Sequence, residues 1–339
     1  MDLQLLWFVL VLLFFTGLFV LEGFDYGVGM LYPWLGRNDV ERRILLNTIG
    51  PFWLGNEVWM VCGIGALFAA FPTLYAALFS SLYPLLLAIL ALLVVRGAAI
   101  EFRNHRAQQA WRHAWDLLVC ATSLLVSLCW GMVLGNIVSG LPLNQQAQHT
   151  GGFAGLFNLY ALFWGVALVA FFLFYGALFL ALRVEQPFLP AIRAIALRLG
   201  PIVSGVLVIL AIVGFFCAPA AFHLTGGLLS TGSGLLALIM VGCSYWLLRR
   251  ALYRRAFACS GVAIVLAVVA ISSGLYPHIL ISTLNSSWSL TLAQTASGPY
   301  TLQLISWIIV PLLPFLIAAQ IGNYWIFRHR LDARSWLYY

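Results

Sequence analysis

Residues 5–21 read LLWFVLVLLFFTGLFVL and run directly into Glu22-Gly23-Phe24-Asp25. A bilayer core of about 30 Å is crossed by roughly 20 apolar residues in a helix, and this stretch has that length and character. It has no basic start and no small-residue cleavage site, so it is expected to stay in the protein as a helix. Working outward, the same pattern recurs along the chain, with spans expected at about 4–31, 51–71, 74–97, 113–139, 154–182, 199–220, 228–248, 255–276 and 301–326.

The composition agrees with that pattern. Of 339 residues 63% are hydrophobic and 8% charged, which leaves too little polar surface for a soluble domain. The net charge of +7 does not indicate nucleic acid, because no arginine block exceeds a pair and each lies beside an apolar span. All 17 basic residues are arginine. They fall after the first, third, fifth, seventh and ninth spans, and the alternate connections, around Pro72, Leu141 to Gly152, Ala221 to Gly227 and Pro277 to Pro299, have none. Basic residues accumulate in cytoplasmic loops, so the amino terminus is expected outside and the carboxyl terminus in the cytoplasm. The fold class expected is all-α integral membrane, one polytopic domain over 1–339. Two four-helix bundles plus one peripheral helix fit the count. No repeat with a period of 20 to 50 residues is present, which excludes solenoids and propellers.

Ionisable residues inside a membrane are costly and mark a pathway, a pairing or a cofactor. Glu22 and Asp25 lie three apart on one face of the first helix. Glu57 is placed about two turns into the second, Arg96 at the close of the third and Asp116 at the opening of the fourth. If these helices pack together, four acids and one arginine gather at one depth. Two readings follow: a proton-entry route through the carboxyl groups, or an ion-pair lock centred on Arg96. Histidines His105, His113 and His329 sit in or beside cytoplasmic connections, His149 and His223 in outer loops and His278 at an outer helix end, so none is placed to hold haem in mid-membrane. Met60, Met132 and Met240 stand alone in apolar runs, as packing residues do. No cluster has metal-ligand spacing. Gly27-Val28-Gly29 follows a helix and not a strand, which excludes a dinucleotide loop. Cys62, Cys120, Cys129, Cys217, Cys243 and Cys259 form no C-x-x-C pair and read as small buried hydrophobes.

From Leu21 to Tyr83 several polar motifs occur in order: Glu22-Gly23-Phe24-Asp25-Tyr26-Gly27-Val28-Gly29-Met30, Leu35-Gly36-Arg37-Asn38-Asp39, Glu41-Arg42-Arg43 and Asn47-Thr48-Ile49-Gly50-Pro51. Trp53, Gly55-Asn56-Glu57-Val58-Trp59 and Ala66-Leu67-Phe68-Ala69-Ala70-Phe71-Pro72 follow. This series resembles subunit II of cytochrome bd-type quinol oxidase. The likeness continues more loosely through Arg96-Gly97, Glu101-Phe102-Arg103, Trp115-Asp116 and Gly135-Asn136 to Gly140-Leu141-Pro142. It implies a nine-helix, haem-free subunit of the bacterial inner membrane. Its implied partner is a related subunit I carrying haem b and haem d, with small accessory single-helix subunits beside them. The complex would oxidise quinol at the outer face and reduce dioxygen to water with cytoplasmic protons; some members hold a structural quinone in this subunit. By the same likeness Trp53, Gly55, Asn56 and Trp59 are motif residues, and Asp25, Arg96 and Asp116 match polar positions typical of the family.

The sequence departs from the family at Leu54, where the family usually carries a proton-path aspartate within Trp-Asp-Gly-Asn. Leucine cannot relay a proton. Three outcomes stay open: Glu57 takes over part of the route, protons enter through subunit I, or this is a variant subunit. The competing functions are an ion-coupled secondary transporter, whose site would be expected at the midplane, and a scaffold that stabilises its partner without conducting protons.

Overall fold

The computed structural model describes residues 2–217 and 220–331, and the side chains of 217–226 lie outside that description, Cys217 and His223 among them, as does Arg334. Helix α1 (Leu3–Leu35) is continuous through Glu22, Asp25 and Pro33. At 33 residues it is about 50 Å long, more than a bilayer core needs. Its start is capped by the Asp2 carboxylate, which accepts from the Gln4 N–H at 3.0 Å. A short helix α2 (Asp39–Asn47) follows, capped by the Asn38 side chain at the Glu41 N–H and carrying Asp39 and Glu41 in its first turn, where acids suit the helix dipole.

Helix α3 (Trp53–Ala70) is the second span. The segment expected as a single helix over 74–97 is instead α4 (Pro72–Ser81) followed by α5 (Tyr83–Phe102), with the break at Leu82. Proline explains the break: Pro84 has no N–H to donate and its ring crowds the carbonyl four residues back, so it is accommodated in the opening turn of a new helix. Helices α6 (Gln109–Ser139), α7 (Leu159–Arg183), α8 (Leu189–Cys217), α9 (Ala220–Arg249) and α10 (Tyr253–Leu275) come next. Helix α6 begins before the expected 113, and α8 before the expected 199, so Arg193 and Arg198 are helical. Within α9 the backbone departs from helical geometry at Gly227, φ +50°, ψ −150°, a combination glycine tolerates for want of a Cβ. Beyond α10, strands β1 (His278–Leu280) and β2 (Leu290–Thr291) form a small antiparallel pair. A single-turn helix α11 (Leu292–Thr295) and the final span α12 (Pro299–Ile326) complete the chain.

Nine of these helices, among the described residues, are long and apolar enough to cross a membrane. In lipid every backbone N–H and C=O must be satisfied within the protein, and helices achieve that along their whole length. The first four spans, α1, α3, α5 and α6, form one group, and α7 to α10 a second. Helix α1 is central and packs on α3, α6, α7 and α10. Its crossing with α7 brings Gly27 and Gly176 into backbone contact, leaving no room for a Cβ on either; Gly131 and Gly165 do the same where α6 meets α7. Without a hydrophobic force between helices in lipid, such close approach is what holds them. Helix α12 is peripheral and touches α1 and α3 through a few polar contacts. One of them is the Trp7 indole N–H, which donates to Ser306 Oγ at 2.8 Å.

Candidate functional site: two buried charge clusters

The first cluster lies where α1, α3 and α5 meet. Glu22, Asp25 and Arg96 are fully buried. Arg96 Nη1 is 3.4 Å from Glu22 Oε2 and 3.6 Å from Glu57 Oε1, and its guanidinium carbon stands 4.9 Å from the centre of the Tyr26 ring. Glu22 and Glu57 thus share one guanidinium, and Asp25, the third carboxyl group of the cluster, is held by Asn56 instead. Glu57 is only about one turn into α3, and Arg96 lies well inside α5 instead of closing it. Glu22 Oε1, Asp25 Oδ1, Arg96 Nε and Arg96 Nη2 have no protein hydrogen-bond partner. Buried groups of this kind are normally satisfied, so these atoms leave capacity for water.

Asn56 is the hub of this cluster. Its Nδ2 donates to Asp25 Oδ2 at 2.6 Å and to the Leu21 carbonyl at 3.3 Å. Its Oδ1 accepts from Gln320 Nε2 at 2.6 Å and from the Tyr324 hydroxyl at 3.0 Å. The amide is therefore used on both sides, and α12 is tied through it to Asp25. The Tyr324 ring stacks on Phe52 with centroids 4.3 Å apart. Gln320 and Tyr324 were not singled out in the sequence, although a glutamine in a long apolar run is a signal that could have found them.

Asp116 does not join Arg96. Seven residues, about 10 Å of helix, separate Arg96 in α5 from Arg103, the residue that caps the end of α5, and Asp116 pairs with the latter. Arg103 Nε donates to Asp116 Oδ1 at 2.5 Å and Nη2 to Oδ2 at 3.3 Å, the bidentate geometry that makes arginine–carboxylate pairs strong. The Tyr32 hydroxyl donates to Asp116 Oδ1 at 2.8 Å, and Arg42 Nη1 to Oδ2 at 3.2 Å. Asp39 accepts from Arg103 at 2.9 Å and from Arg112 at 2.5 Å. Both oxygens of Asp116 are filled by four donors, and the network joins α1, α2, α5 and α6. The expected single cluster is therefore two, because α5 runs past its expected end to Phe102 and the turn after it sets Arg103 at another level, where Asp116 meets it.

The motif residues pack. Trp53 lies against Gly97, and Trp59 fills the space beside Gly17 and Phe14. Gly55 faces Gln320 and Asn323 of α12. Leu54, in contrast, is 65% exposed. The described histidines lie in connections or in the end turns of helices: His113 is 3.4 Å from Arg42, and burial holds the His149 imidazole below its ordinary value in the connection after α6. No group of three or more metal-ligating side chains occurs among the described residues. Cys62, Cys120, Cys129, Cys243 and Cys259 are free thiols.

Comparison with known proteins agrees with the arrangement. The chain is 33% identical over 330 residues to cytochrome bd ubiquinol oxidase subunit 2 of Bacillus subtilis, covering 97% of each. It is 31% identical over 355 residues to cytochrome bd-I ubiquinol oxidase subunit 2 of Escherichia coli K12, covering 95% of this chain and 93% of that one. The bd oxidase structure from Geobacillus thermodenitrificans superposes with a TM-score of 0.70 at 18% identity over 96% of both chains, a likeness of fold. Residues 3–327 match the profile of cytochrome bd terminal oxidase subunit II. With nine apolar helices and a buried acid–arginine core in the motif-bearing first bundle, the chain belongs to the cytochrome bd terminal oxidase subunit II family, and is a multi-pass subunit of a bacterial inner-membrane oxidoreductase.

Proposed function

We propose that this subunit stabilises the haem-bearing subunit I of a quinol:dioxygen oxidoreductase and offers it a cytoplasmic proton-uptake route through Glu22, Asp25 and Glu57. The observation that carries the reading is the ratio in the first cluster, three carboxyl groups to one guanidinium, with buried oxygens left unpartnered. Such groups exchange protons through intervening water, as a satisfied ion pair does not. Glu57 is the member whose side chain reaches the surface, 20% exposed, on the α3 flank that also presents Leu54, Val58 and Val61. That flank is where a partner subunit would receive protons. The Asp116–Arg103–Asp39 network has the opposite character and serves as the lock.

The residues present do not fit a haem, since no described histidine stands within a span away from its ends, so haem b and haem d are assigned to the partner. A structural quinone is better accommodated: a cavity of about 190 Å³ between the two bundles is lined by Phe15, Phe19, Leu86 and Val268 together with Trp130 and Ser272. Its apolar lining suits an isoprenoid chain, and the Trp130 indole N–H has no protein partner. Quinol oxidation itself, and any small accessory subunits, belong to the assembled complex.

The test is a comparison of absorption spectra. The gently purified complex is expected to carry a haem d band and the isolated chain none; stoichiometric haem on the isolated chain would overturn the assignment. Sidedness is tested separately. Reporters fused after Gly152 are expected to read as external and those after Arg255 or at Tyr339 as cytoplasmic, and reversal at any site would show that the helix count is wrong there.

A further inference from the structure

Between Glu185 and Asp332 the chain contains no carboxylate side chain, yet it carries Arg193, Arg198, Arg249, Arg250, Arg254 and Arg255. The fold draws these together at one corner. Arg193 Nη2 donates to the Arg249 carbonyl at 3.1 Å, and Gly200 packs on the Tyr245 ring, so the first half of α8 lies beside the last turns of α9. The chain then reverses through Ala251, φ +57°, into α10. Arg198, Arg249, Arg250, Arg254 and Arg255 are exposed, and among the described residues none of them has a carboxylate partner. The first half of the chain differs: Arg42, Arg96, Arg103 and Arg112 are all paired with acids.

Two features make this corner more than an orienting charge. Arg254 and Arg255 stand in the first turn of α10, the positive end of the helix dipole, and no side chain caps that end. An anion placed there would be favoured by both. Trp246 is also 55% exposed, with the Arg250 guanidinium 5.3 Å from its ring centre, and Leu252 is exposed beside them. Tryptophan at this level marks the headgroup region of a bilayer, where an anion with an apolar chain attached would meet both features. We propose that the α8 and α9–α10 corner is a binding site for the phosphate headgroup of an anionic phospholipid in the adjoining leaflet.

The test uses the assembled complex in nanodiscs of phosphatidylcholine with or without phosphatidylglycerol, reading retained lipid by native mass spectrometry. Phosphatidylglycerol is expected to be retained selectively. The variant Arg250→Gln/Arg254→Gln/Arg255→Gln should bind it about a hundredfold more weakly, each arginine near the surface being worth about a factor of five. The control Arg37→Gln/Arg106→Gln/Arg328→Gln, which removes as much exposed charge from elsewhere, should retain it as the parent does. Equal loss in the control would reduce the site to general surface charge, and unchanged retention in the first variant would remove it. Full displacement by inorganic phosphate would replace the lipid with a free anion, and an acidic polypeptide retained in its place would replace it with a protein partner; either result overturns the proposal.

Discussion

An Arg96→Leu subunit is expected to fail to assemble, with little protein recovered in the membrane and no complex to assay. Arg96 is fully buried against Glu22, Glu57 and the Tyr26 ring. Removing one partner of a buried pair leaves the other charge uncompensated and costs roughly 3–5 kcal/mol. That is a large part of the 5–15 kcal/mol or so by which folded proteins are stable. Arg96→Lys should recover only part of the loss, since an ammonium on a flexible stem cannot span two carboxylates as the guanidinium does. Arg96→Leu/Glu22→Gln should recover more than Arg96→Leu alone, because a neutral amide no longer requires the cation. Recovery of the complex can be followed by the haem spectrum of the purified membranes. Normal assembly of Arg96→Leu would show that the cluster is not what holds the first bundle together. By contrast, loss of the exposed Arg330–Glu185 pair, 3.8 Å apart, should leave assembly unchanged, as exposed ion pairs contribute little.

A Glu57→Gln complex is expected to assemble with its haems intact and to oxidise quinol more slowly, on the order of a hundredfold if every proton passes this residue. Glutamine keeps the shape and most of the hydrogen bonding but cannot give up and take back a proton. The measurement is oxygen consumption per haem d. Turnover at the parent rate would mean that protons enter through the partner subunit. Asp116→Asn separates the two clusters: its four donors are arginine and tyrosine groups that require an acceptor on each oxygen, and an amide offers only one. Its effect should therefore fall on assembly, whereas the effect of Glu57→Gln falls on rate. Leu54→Asp adds a carboxyl group on the exposed α3 flank that also carries Glu57. Faster turnover in that variant would reveal a second path along the subunit surface.

The hydropathy of the chain determined the membrane class, the number of spans and the likeness to subunit II, because continuous apolar runs and ordered polar motifs are properties of the sequence alone. Glu22 and Asp25 were legible for the same reason: helical spacing puts residues three apart on one face, and both prove buried. The partners of those residues were not legible. Glu22, Glu57 and Arg96 come from three helices, and which faces of those helices meet is decided by tertiary packing between segments far apart in the chain. The helix ends also had to be seen. Apolar runs mark where lipid begins and ends, but α5 continues past its run to Phe102, and just beyond it Arg103 donates to both Asp116 and Asp39. This extension, invisible to hydropathy, places Asp116 in the lock and leaves Glu57 with Arg96. The service of Asn56 to both Asp25 and α12 likewise needed the tertiary structure, since Gln320 and Tyr324 reach it across more than 260 residues of sequence.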